Sequence, residues 1–103
     1  MQAMVYRGPY RVRVEEKDFP RIEHPNDAII RVTTAAICGS DLHIYHGMLP
    51  DTRVGMTFGH EFVGVVEEIG PSVRNLKRGD RVMVPFNIFC GSCFFCARKL
   101  YAN

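Results

Sequence analysis

The stretch GHEFVGVV, residues 59–66, runs into EIGP at residues 68–71, and together these decide the fold. The β-branched and apolar residues from 62 to 69 predict a strand, which Gly70-Pro71 ends with a turn. GDRV, residues 79–82, leads into a second predicted strand over residues 81–84. His60 and Glu61 stand immediately before the first of these strands, so two chemically active side chains are tied to the sheet.

Upstream of this stretch the pattern predicts more strands. Alternating apolar residues at 4–6 and 10–15 flank Gly8-Pro9 and predict a hairpin, and the β-branched run at 28–34 predicts another strand. Residues 48–58 and 86–103 have no clean period, so both are interpreted as loops.

One short helix is predicted between these strands. Ser40 and Asp41 can cap a helix that runs to Tyr45 or His46 and stops at Gly47. Short strands with turn signals and a single brief helix are typical of a mainly β domain, here a distorted, partly open barrel.

Composition bounds the class of protein. The 103 residues suffice for one small domain. Thirteen basic and eleven acidic residues are mixed along the chain, for a formal charge of +2, which gives no reason to expect a nucleic-acid partner. Residues 1–14 lack the apolar segment of a signal peptide, and no stretch reaches the roughly 20 apolar residues of a membrane span.

Three cysteines form the strongest local motif. Cys90, Cys93 and Cys96 follow each other at a spacing of two residues, with Gly91 for a tight turn, and this spacing suits a metal such as zinc. Two disulfides with Cys38, an iron–sulfur cluster, or thiols without any metal are the alternatives. The ferredoxin pattern needs a fourth cysteine three residues on, followed by proline, and neither is present. Thiols kept for a metal favour the cytoplasm.

A second group of residues has the composition of a catalytic zinc site. Cys38 and His60 would be two of the three protein ligands that such a site needs. Asp41 could hold the other nitrogen of the imidazole, and Ser40 and His43 could carry a proton outward. The simpler interpretation makes Ser40 a helix cap and Asp41 a charge favoured by the helix dipole. The other histidines, at 24 and 46, are interpreted as solvated.

Taken together, GHEFVGVV, EIG, GDRV and the cysteine motif resemble the N-terminal GroES-like catalytic domain of zinc-dependent, medium-chain alcohol dehydrogenases. The resemblance runs from about residue 28 to the end, in the family's order. The amino-acid sequence from residue 38 to 101 is most similar to that of the glutathione-independent formaldehyde dehydrogenase-like and threonine dehydrogenase-like members of this family.

The resemblance implies roles for individual residues. Cys38 and His60 would be catalytic zinc ligands, with Glu61 beside the metal or intermittently on it. Asp41 would be the partner of His60, and Ser40 and His43 would form a proton relay. Residues 89–103 would be a structural zinc lobe, in which three of four zinc ligands are Cys90, Cys93 and Cys96.

The resemblance also implies a reaction, the transfer of hydride between an alcohol or aldehyde and NAD(P). The remaining catalytic zinc ligand and the nucleotide-binding Rossmann domain are expected outside residues 1–103, which contain no G-x-G-x-x-G pattern. The chain alone is therefore expected to bind zinc but to be inactive, as the N-terminal part of a catalytic domain from a homo-oligomeric enzyme. A stand-alone zinc-binding interaction module and an electron-transfer protein are the alternatives.

One further expectation concerns the lobe. In the family that the chain resembles, the fourth cysteine follows the third after seven residues, and the seven positions after Cys96 end at Asn103. We therefore expect the residue that follows Asn103 in the natural protein to be cysteine.

Overall fold

The structure, a computed structural model, describes residues 1–101. Five strands and two short helices follow each other in the order β1, β2, β3, α1, β4, β5, α2. The predicted mainly β class is confirmed. Their bounds are Gln2–Tyr6 (β1), Val12–Glu16 (β2), Ala28–Ala35 (β3), Gly39–Tyr45 (α1), Phe62–Ile69 (β4), Arg81–Val84 (β5) and Phe94–Ala97 (α2).

The strands form two open antiparallel sheets. β1 and β2 are the predicted hairpin, and β4 lies between β3 and β5 in the second sheet. Neither sheet closes on itself, and this agrees with the predicted partly open barrel. Gly64 in β4 allows the close approach of β3, because a Cβ there would lie 2.5 Å from Ile30 Cγ2 and 2.6 Å from the Arg31 carbonyl oxygen.

The loop that leads to His60 is held against the hairpin. Val5 forms an isolated antiparallel bridge with Thr57, and the Tyr6 N–H donates to the Met56 carbonyl at 2.9 Å. Val5 and Tyr6 are buried, as is Val66 on β4. Val5 and Tyr6 thus lie where the hairpin meets the segment that leads into β4.

The predicted helix is present, with a different cap. α1 begins at Gly39 and its N-cap is Cys38, whereas the sequence pattern gave that role to Ser40. The cause is Asp41 at the third helical position, whose Oδ2 accepts a 2.9 Å hydrogen bond from the Cys38 N–H. Ser40 is therefore inside the first turn, and its hydroxyl is available for other contacts.

The cysteine-rich segment contains a second helix that its sequence did not indicate. α2 is a single turn that starts after Cys93, and the Ala97 N–H donates to the Cys93 carbonyl at 2.9 Å. The prediction of a loop over residues 86–103 is wrong for Phe94–Ala97, where one turn of helix brings Cys93 and Cys96 to the same side.

No helix within residues 1–101 is long and apolar enough to cross a membrane. Ala102 and Asn103, the last two spacer positions of the lobe, lie outside the described residues. The expectation of a following cysteine stays a prediction.

Candidate metal centres

Cys38, His60 and Glu61 come together as a first cluster. One ligand atom from each lies within 4.8 Å of the others. Cys38 stands at the start of α1, whereas His60 and Glu61 directly precede β4. The Ala36 N–H, just beyond β3, donates to the Glu61 carbonyl at 3.1 Å and joins these two segments. The fold therefore assembles a thiol, an imidazole and a carboxylate from separate elements.

The buried side chain of Asp41 approaches both Cys38 and His60 of this first cluster. Asp41 is 6% exposed, and its Oδ2 accepts a hydrogen bond from the Cys38 N–H. Its Oδ1 lies 3.3 Å from His60 Nδ1, an approach that lacks hydrogen-bond geometry. Within residues 1–101, this Oδ1 is the one buried side-chain polar atom without a hydrogen-bond partner. A small rotation of the His60 ring would satisfy it and leave Nε2 free to bind a metal.

Ser40 contacts the opposite nitrogen of His60, with 3.2 Å between Oγ and Nε2. Hydrogen bonds from the Ser40 hydroxyl and backbone, followed by one from His60, lower the pKa of the Cys38 thiol. The pKa of His60 is raised, above all by its hydrogen bond with Cys38 and also by the charge of Asp41. Without metal, these shifts favour a thiolate beside a protonated imidazole, and a metal ion would displace that proton.

His43, predicted to pass a proton outward from Ser40, lies on the exposed side of α1. Its Nδ1 is 3.4 Å from the Met48 sulfur. Within the described residues no direct hydrogen bond joins Ser40 to His43, so a proton route between them would need water.

Cys90, Cys93 and Cys96 form a second cluster. The Cys93 and Cys96 sulfurs are 3.5 Å apart, and the Cys90 and Cys96 sulfurs are 4.0 Å apart. Tetrahedral zinc with bonds of about 2.3 Å to sulfur places its thiolates roughly 3.8 Å apart. All of these cysteines are free thiols. The lobe is thus already spaced for a metal and has no disulfide within the described residues.

The thiols of this lobe differ in acidity. Hydrogen bonds from the backbone and hydroxyl of Ser92 and from the Cys93 N–H lower the pKa of Cys90 to about 6. Burial of Cys96, which is 8% exposed, raises the pKa of its thiol. Gly91 makes the turn between them possible with a φ of +77°, which lets neighbouring N–H groups point at the Cys90 sulfur.

Comparison with known proteins decides the family. Residues 24–103 match the sequence profile of the alcohol dehydrogenase GroES-like domain. The chain belongs to this family. The most similar relatives include an uncharacterised zinc-type alcohol dehydrogenase-like protein of Bacillus subtilis, which is 51% identical over 97% of the chain and 26% of its own length. A glutathione-independent formaldehyde dehydrogenase of Pseudomonas aeruginosa is 40% identical over 95% of the chain and 26% of its length, in line with the predicted branch.

Solved structures agree. Alcohol dehydrogenase TADH from Thermus sp. ATN1 superimposes with a TM-score of 0.93 at 50% identity, over 98% of this chain and 29% of the Thermus chain. The predicted GroES-like fold is confirmed. The chain spans 26% to 29% of the length of these three relatives, and it corresponds to their N-terminal part.

Six of the residues predicted from sequence for this GroES-like domain form the two clusters, Ser40 and Asp41 contact the first cluster, and His43 lies apart. The contact that sequence reasoning missed is Met48, in a segment interpreted only as a loop. No periodic signal marks a single methionine in an irregular segment as the partner of a histidine five positions away.

Proposed function

We propose that this chain supplies the metal-binding part of the active site in a zinc-dependent oxidoreductase, which interconverts an alcohol and an aldehyde with NAD(P) as hydride carrier. One observation carries the proposal, the assembly of Cys38, His60 and Glu61 around one point. Membership of the zinc-type alcohol dehydrogenase family supports it.

The donor set fits zinc. Thiolate sulfur, imidazole nitrogen and carboxylate oxygen are the three ligand types that zinc prefers, and the buried, unsatisfied Oδ1 of Asp41 faces the imidazole. Cys38 and His60 would hold the ion, with Glu61 beside it. When bound, zinc acts as a Lewis acid that polarises a substrate oxygen.

The surrounding side chains would manage orientation and protons. Asp41 holds the Cys38 backbone through Oδ2, and a hydrogen bond from His60 Nδ1 to its Oδ1 would keep the imidazole proton on Nδ1, so that Nε2 presents its lone pair. The Ser40 hydroxyl can accept a proton at Oγ from the substrate while its own proton passes to a water molecule, and exposed His43 would pass protons on to solvent.

The cysteine lobe would hold a second zinc ion, in a structural role. Cys90, Cys93 and Cys96 provide three thiolates, and a closed structural site needs a fourth ligand. We expect this ligand to be a cysteine immediately after Asn103. Four thiols without disulfides suit the reducing cytoplasm.

Nicotinamide binding is assigned to parts of the protein outside these 103 residues. NAD(P) and a small alcohol or aldehyde would be bound there together with the first cluster. Exposed apolar side chains on and after β5, Met83 at 77% and Ile88 at 91%, suit a chain covered by further domain and subunit contacts, as in a homo-oligomer. The chain alone is expected to take up zinc and to catalyse nothing.

A chimera tests this proposal. Residues 1–103 are joined to the remainder of the Thermus alcohol dehydrogenase, whose fold they match. We expect the chimera to oxidise an alcohol with a nicotinamide cofactor. The His60→Ala chimera and the Cys38→Ala chimera should each lose this activity and one zinc ion per chain. His24→Ala, in an exposed loop, is the matched control and should retain activity. A folded His60→Ala chimera with undiminished turnover would contradict the proposal.

A further inference from the structure

The helix α1, which begins directly after the metal-ligand candidate Cys38, has few packing contacts that would fix its position. α1 has seven residues, too few to be stable alone, and of these only Asp41 is buried. Leu42 is 50% exposed, and Ile44 and Tyr45 are only half-buried, so the apolar side chains of the helix anchor it weakly. A cavity of about 330 Å³ lies beside it, lined by Leu42 and Tyr45 of α1 together with Met4 and Val12 of the hairpin. The flank of α1 is therefore open toward β1 and β2.

The turn between β1 and β2 holds the far end of α1 instead. The Tyr10 N–H donates to the Tyr45 carbonyl at 2.7 Å, which satisfies one of the free carbonyls at the helix C-terminus. The Tyr10 ring packs edge-on against Tyr45, with centroids 5.5 Å apart, and against His46 at 5.1 Å. One backbone hydrogen bond and two ring contacts thus meet at a single residue of the turn.

The geometry of this contact is constrained on both sides. Tyr10 has a φ of 59°, which is unusual for a residue with a side chain and persists only where surrounding contacts enforce it. Gly47, which follows α1 with a φ of +75°, allows Pro9 to approach so closely that a Cβ would lie 2.6 Å from Pro9 Cγ. The proline ring cannot rotate away, so the fit depends on this glycine.

We infer that the β1–β2 turn is a clamp on α1 and that Tyr10 is a positioning residue for the metal cluster at the opposite end of the helix. The inference rests on the proposed function. A seven-residue helix is about 10 Å long and moves as one rigid body, so a tilt at Tyr45 displaces Cys38, Ser40 and Asp41 together. His60 and Glu61 belong to another segment and stay in place, and metal sites tolerate errors of only about 0.2 Å in ligand distance.

Cadmium-113 NMR of the full chain tests the clamp, because the resonance of a three-thiolate lobe is separate from that of a site with one thiolate. Tyr10→Asn removes the ring but tolerates the positive φ, and Gly47→Ala pushes the helix off Pro9. Both should weaken cadmium binding at the Cys38 site roughly tenfold, the lower range for residues that act through a ligand. The lobe resonance should be unchanged.

Two variants serve as controls. Tyr10→Phe keeps the ring and the backbone N–H, so it should bind cadmium as the unmodified chain does. Gly55→Ala introduces a side chain at a φ of +94° with nothing within 4 Å, and it separates backbone strain from the loss of the clamp. It should leave the Cys38 site intact.

Each other outcome has a definite meaning. If Tyr10→Asn and Gly47→Ala bind cadmium at the Cys38 site with unchanged affinity, the clamp is wrong and the proposed function stands. The clamp is also wrong if both variants lose the two resonances equally, because the turn would then serve only general stability. An unmodified chain without the one-thiolate resonance would overturn the proposed function itself, and the clamp with it.

Discussion

The two clusters are built in opposite ways. The lobe takes its thiols from seven consecutive residues, 90–96, and two of its three cysteines are exposed. The first cluster takes Cys38 from the start of a helix and His60 and Glu61 from the entry to a strand, and all three are half-buried. The lobe is therefore a local arrangement set by a turn and one helical turn, whereas the first cluster depends on tertiary contacts.

This difference agrees with the separate roles proposed for the two sites. A lobe whose sulfurs are already 3.5 to 4.0 Å apart needs little from the rest of the fold, so metal would hold the segment in shape. At the first cluster the protein controls the ligands, through Asp41 behind His60 and Ser40 beside it. Such outside control of proton positions is typical of a reactive site.

The largest expected effect breaks the lobe alone. Cys96→Ser removes a buried sulfur ligand. It should weaken metal binding at the lobe by more than the roughly 10–100-fold that follows when only a hydrogen-bond partner of a ligand is replaced. The first cluster should keep its metal, since its ligands lie on other elements. Zinc analysis with cadmium-113 NMR measures both sites. Ser72→Ala, at an exposed serine outside both clusters, is the matched control, and loss of metal from both clusters in Cys96→Ser would show that the sites are not independent.

The same contrast explains what could be predicted from sequence. The spacing of two residues between Cys90, Cys93 and Cys96 keeps their sulfurs close in space, so the local pattern alone predicts the lobe. Strands β4 and β5 were predicted with their observed bounds, because β-branched runs and the Gly70 and Gly79 turns mark both ends. For Cys38 and His60 the residue types suggest two ligands of one zinc site, and the family resemblance strengthens that pairing, but no spacing in the sequence encodes a contact made by tertiary folding.

The errors have a physical cause too. Ser40 was assigned the helix cap because serine is a strong N-cap residue, but Asp41 at the third position forms the reciprocal bond with the Cys38 N–H instead. α2 was missed because FFCA has no helical period, and its single turn is supported by the Cys93 carbonyl. In both cases the outcome depends on which of several possible local hydrogen bonds forms, and amino-acid composition does not determine this.

The second expected effect acts on the first cluster alone. In Asp41→Asn the amide oxygen would keep the Cys38 N–H, so the amide NH₂ would face His60 Nδ1 and favour the proton on Nε2. Metal affinity at this cluster should fall roughly 10–100-fold. Nitrogen-15 NMR of the imidazole reports the tautomer, and metal titration reports the affinity. Asp51→Asn, in an exposed loop, is the control; an unchanged tautomer would remove Asp41 from this role.

The third expectation sharpens the comparison through pH. In the metal-free lobe the pKa of Cys90 lies at about 6, below the ordinary thiol value of 9.0. A lowered pKa stabilises the folded lobe fully above pH 9, and this stabilisation is lost as the pH falls through about 6. Alkylation by iodoacetamide, followed by mass spectrometry, should give Cys90 a midpoint near pH 6 and leave buried Cys96 the slowest. A midpoint near 9 for Cys90 would contradict the hydrogen bonding at its sulfur.

The smallest expected effect concerns the hydroxyl between the two ligands of the first cluster. Ser40 is the largest cause of the lowered pKa of Cys38, so Ser40→Ala should raise that pKa in the metal-free chain. At neutral pH fewer Cys38 thiols would be ionised, and metal affinity at this cluster should fall a few-fold. Ultraviolet absorbance of the thiolate against pH measures the shift, with the lobe cysteines replaced by serine so that Cys38 alone titrates. Ser40→Thr keeps the hydroxyl and should restore the lowered pKa. If alanine and threonine give the same titration, the hydroxyl does not act on Cys38, and any effect of Ser40 on the reaction would have to come from its contact with His60 Nε2.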